Sequence, residues 1–119
     1  MGRFIKGDIV VINFPFSDLS GTRRRPALVI ATLEGDDIVL CQITSQLKTD
    51  KYAIILNEED YANGKLKTHS MIRPNKIFTA DKNSILYLAC KIAPVKIDEV
   101  VTATIDIIKG SSSNDNSAI

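Results

Sequence analysis

Four short runs of β-branched and aliphatic residues dominate the chain, and proline, glycine or a polar cluster stops each before it reaches the usual length of a helix. The first, Asp8 to Phe14 (DIVVINF), follows Gly7 and meets Pro15, which has no amide hydrogen to give to a strand ladder. The second, Ala27-Leu28-Val29-Ile30-Ala31, follows Pro26. The third, Ile38 to Thr44 (IVLCQIT), comes after the turn residues Glu34-Gly35-Asp36-Asp37, so these two runs predict a hairpin. The fourth, Ile85 to Ile92 (ILYLACKI), is stopped by Pro94. Only beyond Pro94 does the period change. Ile97, Val100, Val101, Ile105 and Ile108 then form a helical stripe predicted to face a core, with Lys109 and Gly110 as its stop. Strands first and a helix last predict a mainly β chain: a small, strongly bent antiparallel sheet or barrel capped by a C-terminal helix.

The weaker segments fill in this frame. Tyr52 to Leu56 predicts a further strand, and Glu58 to Asn63, closed by Gly64, one helical turn. Ser70 to Arg73 and Lys76 to Thr79 predict two strand halves interrupted by Pro74. Residues 15–25 (PFSDLSGTRRR) collect turn formers and charge, and predict a loop. Pro26 restricts Arg25 to an extended backbone, which would deliver Arg25 as the first residue of the second strand. Antiparallel pairing would then bring Thr44, at the end of the third strand, back to Arg25. One domain over residues 1–110 is expected, followed by a polar tail, 111–119 (SSSNDNSAI), too poor in apolar side chains to offset the entropy of ordering.

Composition narrows the function. The 119 residues carry a net charge of +1, which excludes a histone-like binder working by bulk cationic charge. Nothing approaches the ~20 apolar residues of a membrane span, and Arg3, Lys6, Gly7 and Asp8 break any leader pattern, so a cytoplasmic protein without a membrane partner is expected. The charge is uneven: residues 1–33 carry a local balance of +3 and residues 65–82 one of +4. If the fold brings these segments together, an anion-binding face results. Cys41 and Cys90 sit in apolar runs without a CxxC partner and predict buried thiols rather than a metal site or disulfide. The single histidine, His69, excludes schemes that need two imidazoles from one chain.

Candidate functional residues cluster around the predicted Arg25–Thr44 meeting point. The triplet Arg23-Arg24-Arg25 offers planar, bidentate donors for phosphate, set against the plainer role of a solvated charge run. Thr44, Ser45 and Gln46 offer two hydroxyls and an amide that could orient a phosphate or ribose, or could simply close a strand end. Phe14 and Phe16 flank Pro15; core is the expectation for Phe14, while Phe16 is equally suited to stacking on an unpaired base. His69 has the side-chain type suited to proton transfer, but its basic segment is far along the chain from the arginines.

Taken together, Gly7-Asp8-Ile9-Val10, Phe14-Pro15-Phe16-Ser17-Asp18, Gly21 and Arg25-Pro26-Ala27-Leu28-Val29-Ile30 resemble the PemK/MazF family of toxins from type II toxin–antitoxin systems. Ile43 to Gln46, Ser70 to Arg73 and Lys76 to Asp81 keep the family's order, so that the resemblance covers roughly residues 5–109. It implies an SH3-like barrel of the plasmid-maintenance-toxin type. The implied activity is that of a homodimeric endoribonuclease that cuts single-stranded RNA at short sequences, with no metal or other cofactor, to a 2′,3′-cyclic phosphate and a 5′-hydroxyl. A cognate antitoxin would silence it. Arg25 and Thr44 match the family's catalytic pair. Phe16, Ser17, Asp18, Arg23, Arg24, Ser45, Gln46, Arg73 and Lys76 are the expected RNA-binding residues. The sequence departs from some members in offering Asp18 as the sole acid of the loop, which leaves the general base unassigned. Two other classes stay open: a CcdB-like toxin that inhibits DNA gyrase through its C-terminal helix, and a catalytically silent module that binds nucleic acid or antitoxin.

Overall fold

The computed structural model describes residues 3–15, 22–46 and 50–110. The chain runs through β1 (Asp8–Pro15), β2 (Thr22–Thr32), β3 (Asp37–Thr44), β4 (Ile54–Leu56), β5 (Tyr61–Asn63), β6 (Ser70–Asp81) and β7 (Ile85–Ile92), and ends in α1 (Pro94–Lys109). One antiparallel sheet takes up all seven strands in the order β4-β6-β3-β2-β1-β7-β5. It curls into an open half-barrel with the helix at its C-terminal end, as the sequence predicts.

The apolar runs are continuous because both faces of the central strands are covered. Ile9, Leu28, Cys41, Ile43 and Ile72 pack on one face with Ile97 and Val100 of α1. Val10, Ile12, Ala27, Val29, Ile38 and Leu40 pack together on the other. Each fully buried aliphatic side chain contributes about 1.5–3 kcal/mol relative to exposure, so these two clusters hold the sheet in its curve. Cys41 and Cys90 are buried free thiols, and burial pushes their pKa up to about 12 and about 11. Neither is a thiolate at neutral pH.

Several expectations change in detail. The arginine triplet does not lie in a loop: β2 starts at Thr22, and Arg25 is its fourth residue, paired with Ile12. The hairpin with β1 extends the strand backwards past Pro26. That proline costs little there because the β2–β3 ladder begins one residue later, at Ala27 opposite Gln42. The two half-strands around Pro74 are one strand, β6. Its register against β3 jumps from Gln42↔Arg73 to Cys41↔Ile77, so a bulge at residues 74–76 accommodates the proline without breaking the strand. The predicted strand over residues 52–56 shortens to Ile54–Leu56, and the helical turn after it is a single 3-10 turn, Glu58–Asp60, followed by β5.

The helix departs most from its predicted face. Ile97 and Val100 are buried, but Ile105 and Ile108 are 46% and 68% exposed, while Lys96 and Thr104 are buried in their stead. Lys96 tolerates burial because its ammonium reaches Asp60 at 3.2 Å and Glu99 at 3.1 Å. The amide of Ala93 also donates to the carbonyl of Asp60 at 2.8 Å, so the first turn of α1 is tied to the 3-10 turn. Gly110, at φ 70°, ends the helix in the left-handed conformation, as predicted. The expected polar tail, 111–119, lies outside the described residues.

Candidate functional site

The β2–β3 ladder begins at Ala27 opposite Gln42, with Arg25 two residues before Ala27 in β2 and Thr44 closing β3 two residues after Gln42. Arg25 is paired with Ile12 of β1, and Thr44 with Met71 of β6. Both flanking side chains are buried, so the half-buried guanidinium and hydroxyl each adjoin an apolar wall, where a charge acts through a lower dielectric than in water. The Thr44 hydroxyl oxygen accepts the Gln46 amide at 3.1 Å. Its own proton is then left to donate elsewhere.

A cavity of about 300 Å³ opens at this end of the sheet. Arg24 and Arg25 come to it from β2, Ser45 and Gln46 from the end of β3, and Leu66, Lys67, Thr68 and Ser70 from the segment leading into β6. Among the described residues three of the lining side chains are cations and none is a carboxylate. The two basic segments therefore do meet, but through Arg24, Arg25 and Lys67. Lys67, Thr68 and Ser70 were not anticipated as site residues. The excess of positive charge over residues 65–82 was the available signal, although it does not say which of five cations turns toward the arginines.

The other expected residues are distributed differently. Ser45 and Gln46 line the cavity, whereas Thr44 adjoins it without lining it. Arg73 does not reach it: its Nε donates to Asp50 at 2.9 Å and its Nη1 to Gln42 at 3.5 Å, so its guanidinium clamps β3 and the segment before β4 to β6. Lys76, exposed on the bulge, is also absent from the lining. Phe16, Ser17 and Asp18 lie outside the described residues, as do the side chains of Phe14 and Arg23. His69 is exposed and lies beyond the cavity's lining.

Asp50 anchors this clamp. The Tyr52 amide donates to its carboxylate at 3.0 Å; this bond first, and then the Arg73 guanidinium, hold the carboxyl below its ordinary value of 3.8. A carboxyl that ionises more readily in the folded chain stabilises the fold above its unfolded pKa, and that contribution is lost as pH falls through the lower, folded value. Asp50→Asn is therefore expected to lower the urea midpoint near neutrality. The gap to the parent protein should close as the pH is taken from about 5 to about 2. A gap independent of pH would show that the Asp50 charge has no part in it.

The fold is thus a small curled β sheet with a cavity at one end that is cationic among the described residues. Over residues 5–108 the chain matches the model for PemK-like, MazF-like toxins of type II toxin–antitoxin systems, and it belongs to that family. No curated protein matches it in sequence. Among solved structures it is similar to an endoribonuclease from Mycobacterial species, with a TM-score of 0.68 and 16% identity over 92% of this chain and 94% of that one. A Mycobacterial endoribonuclease in complex with its cognate antitoxin gives a TM-score of 0.67 and 16% identity over 90% and 96% of the two chains. The MazE–MazF complex (Form-III) from Deinococcus radiodurans gives 0.67 and 20% over 92% and 98%. At these identities the likeness is one of fold.

Proposed function

We propose that the protein is the toxin of its toxin–antitoxin pair by virtue of cutting single-stranded RNA. The observation that carries this is the cavity where Arg24, Arg25 and Lys67 converge with no acid among the described lining residues, and where Thr44 stands between the lining residues Ile43 and Ser45. A phosphodiester held there would have its charge met by guanidinium groups in a partly desolvated setting. The 2′-oxygen of the ribose attacks the adjacent phosphorus: the O2′–P bond forms, the P–O5′ bond breaks, the 2′ proton leaves and the 5′ oxygen gains one. Arg25 stabilises charge growing on the phosphoryl oxygens, and the Thr44 hydroxyl donates to one of them and fixes the in-line geometry. Guanidinium and threonine are poor proton acceptors, so the acceptor is a group other than this pair.

The structural neighbour solved with its antitoxin supports a partner of the same kind here, an acidic segment lying over the cationic cavity. The protein acts as a homodimer in the cytoplasm, where its substrate is. Among the described residues no helix is long and apolar enough to cross a membrane. No feature of the site favours gyrase inhibition, and α1 turns Ile97 and Val100 into the core.

The test is incubation of the purified protein with end-labelled single-stranded RNA in EDTA. Cleavage to cyclic-phosphate and 5′-hydroxyl ends is expected, with the matching DNA strand left intact because it lacks the attacking hydroxyl. Equal cleavage of DNA, products with 5′-phosphates, or no cleavage of RNA would each reject the proposal.

A further inference from the structure

The cavity beside Arg25 does not end at segment 66–68. A second cavity of about 210 Å³ adjoins it, and Leu66, Lys67 and Thr68 line both. The second adds Tyr61, Lys65 and His69. Lys65 is held by Glu58 at 2.8 Å. The exposed side chains of Lys67 and His69 make no hydrogen bond or ion pair among the described residues, so both are available to a ligand.

We infer that the second compartment is a subsite for a neighbouring nucleotide of the same RNA strand. Its phosphate would sit on Lys67, which lines both cavities, and its base against His69 and Tyr61. The inference rests on the RNA-cleaving function proposed above. It gives His69 a role outside proton transfer, since that residue lines the second cavity and not the one that Arg25 lines. Planar rings beyond a cation suit a base following a phosphate, because stacking accepts any base and the ammonium needs only the backbone charge.

The experiment measures kcat/KM on RNA oligonucleotides lengthened one nucleotide at a time on either side of the bond that is cut. The parent protein should gain on one side only. His69→Ala should remove that gain, about tenfold, and leave the shortest substrate unaffected. Lys67→Ala should weaken all lengths and reduce the slope of log affinity against log salt by about 0.7. A gain with length that survives His69→Ala overturns the subsite. So does a fall in cleavage of the shortest substrate, which would make His69 part of the chemistry, or an effect of His69→Ala on antitoxin affinity alone. If the parent protein cuts no RNA, the proposed function fails and the subsite with it; if it cuts but gains nothing with length, the subsite alone fails.

Discussion

Arg25→Ala is expected to slow RNA cleavage by about 10²–10³-fold, the effect of removing one preorganised donor from a site where negative charge develops, while the protein stays folded. The magnitude follows from where the side chain sits. Arg25 is half-buried beside the buried Ile12, and charge on the phosphoryl oxygens grows there with little water to solvate it. Arg24, its neighbour in the chain, lines the same cavity but is exposed to water. Its loss should weaken binding and flatten the salt dependence, with the bond-breaking step at saturating RNA close to the parent rate. Arg25→Lys should recover little, since a lone ammonium cannot reproduce the two parallel donors of the fork. Single-turnover cleavage measures the chemical step directly, and thermal melting checks the fold. Equal effects of Arg24→Ala and Arg25→Ala on the single-turnover rate would mean that the cavity acts by charge alone and that the Arg25–Thr44 pair has no special part.

The β2–β3 hairpin itself was legible in the sequence because Glu34 to Asp37 mark a turn between two apolar runs. Counting back from that turn does not by itself fix which residues face one another, because β2 carries an extra residue at Ile30 and the ladder stops at Ala27 opposite Gln42. Nor could the count supply the backbone state of the arginines. The turn formers before them pointed to a loop, and strand character reached Thr22 only through pairing with β1, a tertiary effect that local composition does not report. Arg73 was misread for a related reason. A cation in a basic segment looks free until its acid is known, and Asp50 lies 23 positions earlier in the chain. The helix stripe failed at Ile105 and Ile108 because periodicity shows which residues share a face and not how far along the helix the sheet extends. Lys96 could not have been placed in the core at all without Asp60, which reaches it from the turn before β5.

The opening motif shows the reverse case, a signature whose physical reason appears only in the structure. Gly7 sits at φ +100°, a conformation that side chains rarely adopt, and its backbone ties two strands together. Its amide donates to the Val29 carbonyl at 2.9 Å, and its carbonyl accepts the Ile92 amide at 3.0 Å. Asp8, next in the chain, is 2% exposed. One carboxylate oxygen accepts the Ile5 amide at 3.0 Å and the other meets the Lys91 ammonium at 2.5 Å. β1 and β7 are thus joined at their ends by an ion pair with its acid side buried.

Lys91→Met should consequently be among the most destabilising single changes outside the apolar core. Removing one partner of a buried ion pair leaves an uncompensated charge, at a typical cost of 3–5 kcal/mol. The Lys91 side chain is 38% exposed, and water reaching the carboxylate from that side brings the expected loss down to about 2–3 kcal/mol. Asp8→Asn removes the charge along with the need for a partner and keeps an oxygen for the Ile5 amide, so its cost should be nearer 1 kcal/mol. Combining the two should cost less than the sum of the single changes, because the asparagine has no charge for Lys91 to neutralise. Urea unfolding with an unchanged m-value measures all three. Lys65→Met provides the control: its bridge to Glu58 is formed at 2.8 Å between two exposed side chains, and such pairs contribute little. If Lys91→Met proves as harmless as Lys65→Met, the Asp8 carboxylate must be satisfied from elsewhere, and the closure of β7 onto β1 rests on backbone pairing and apolar packing alone.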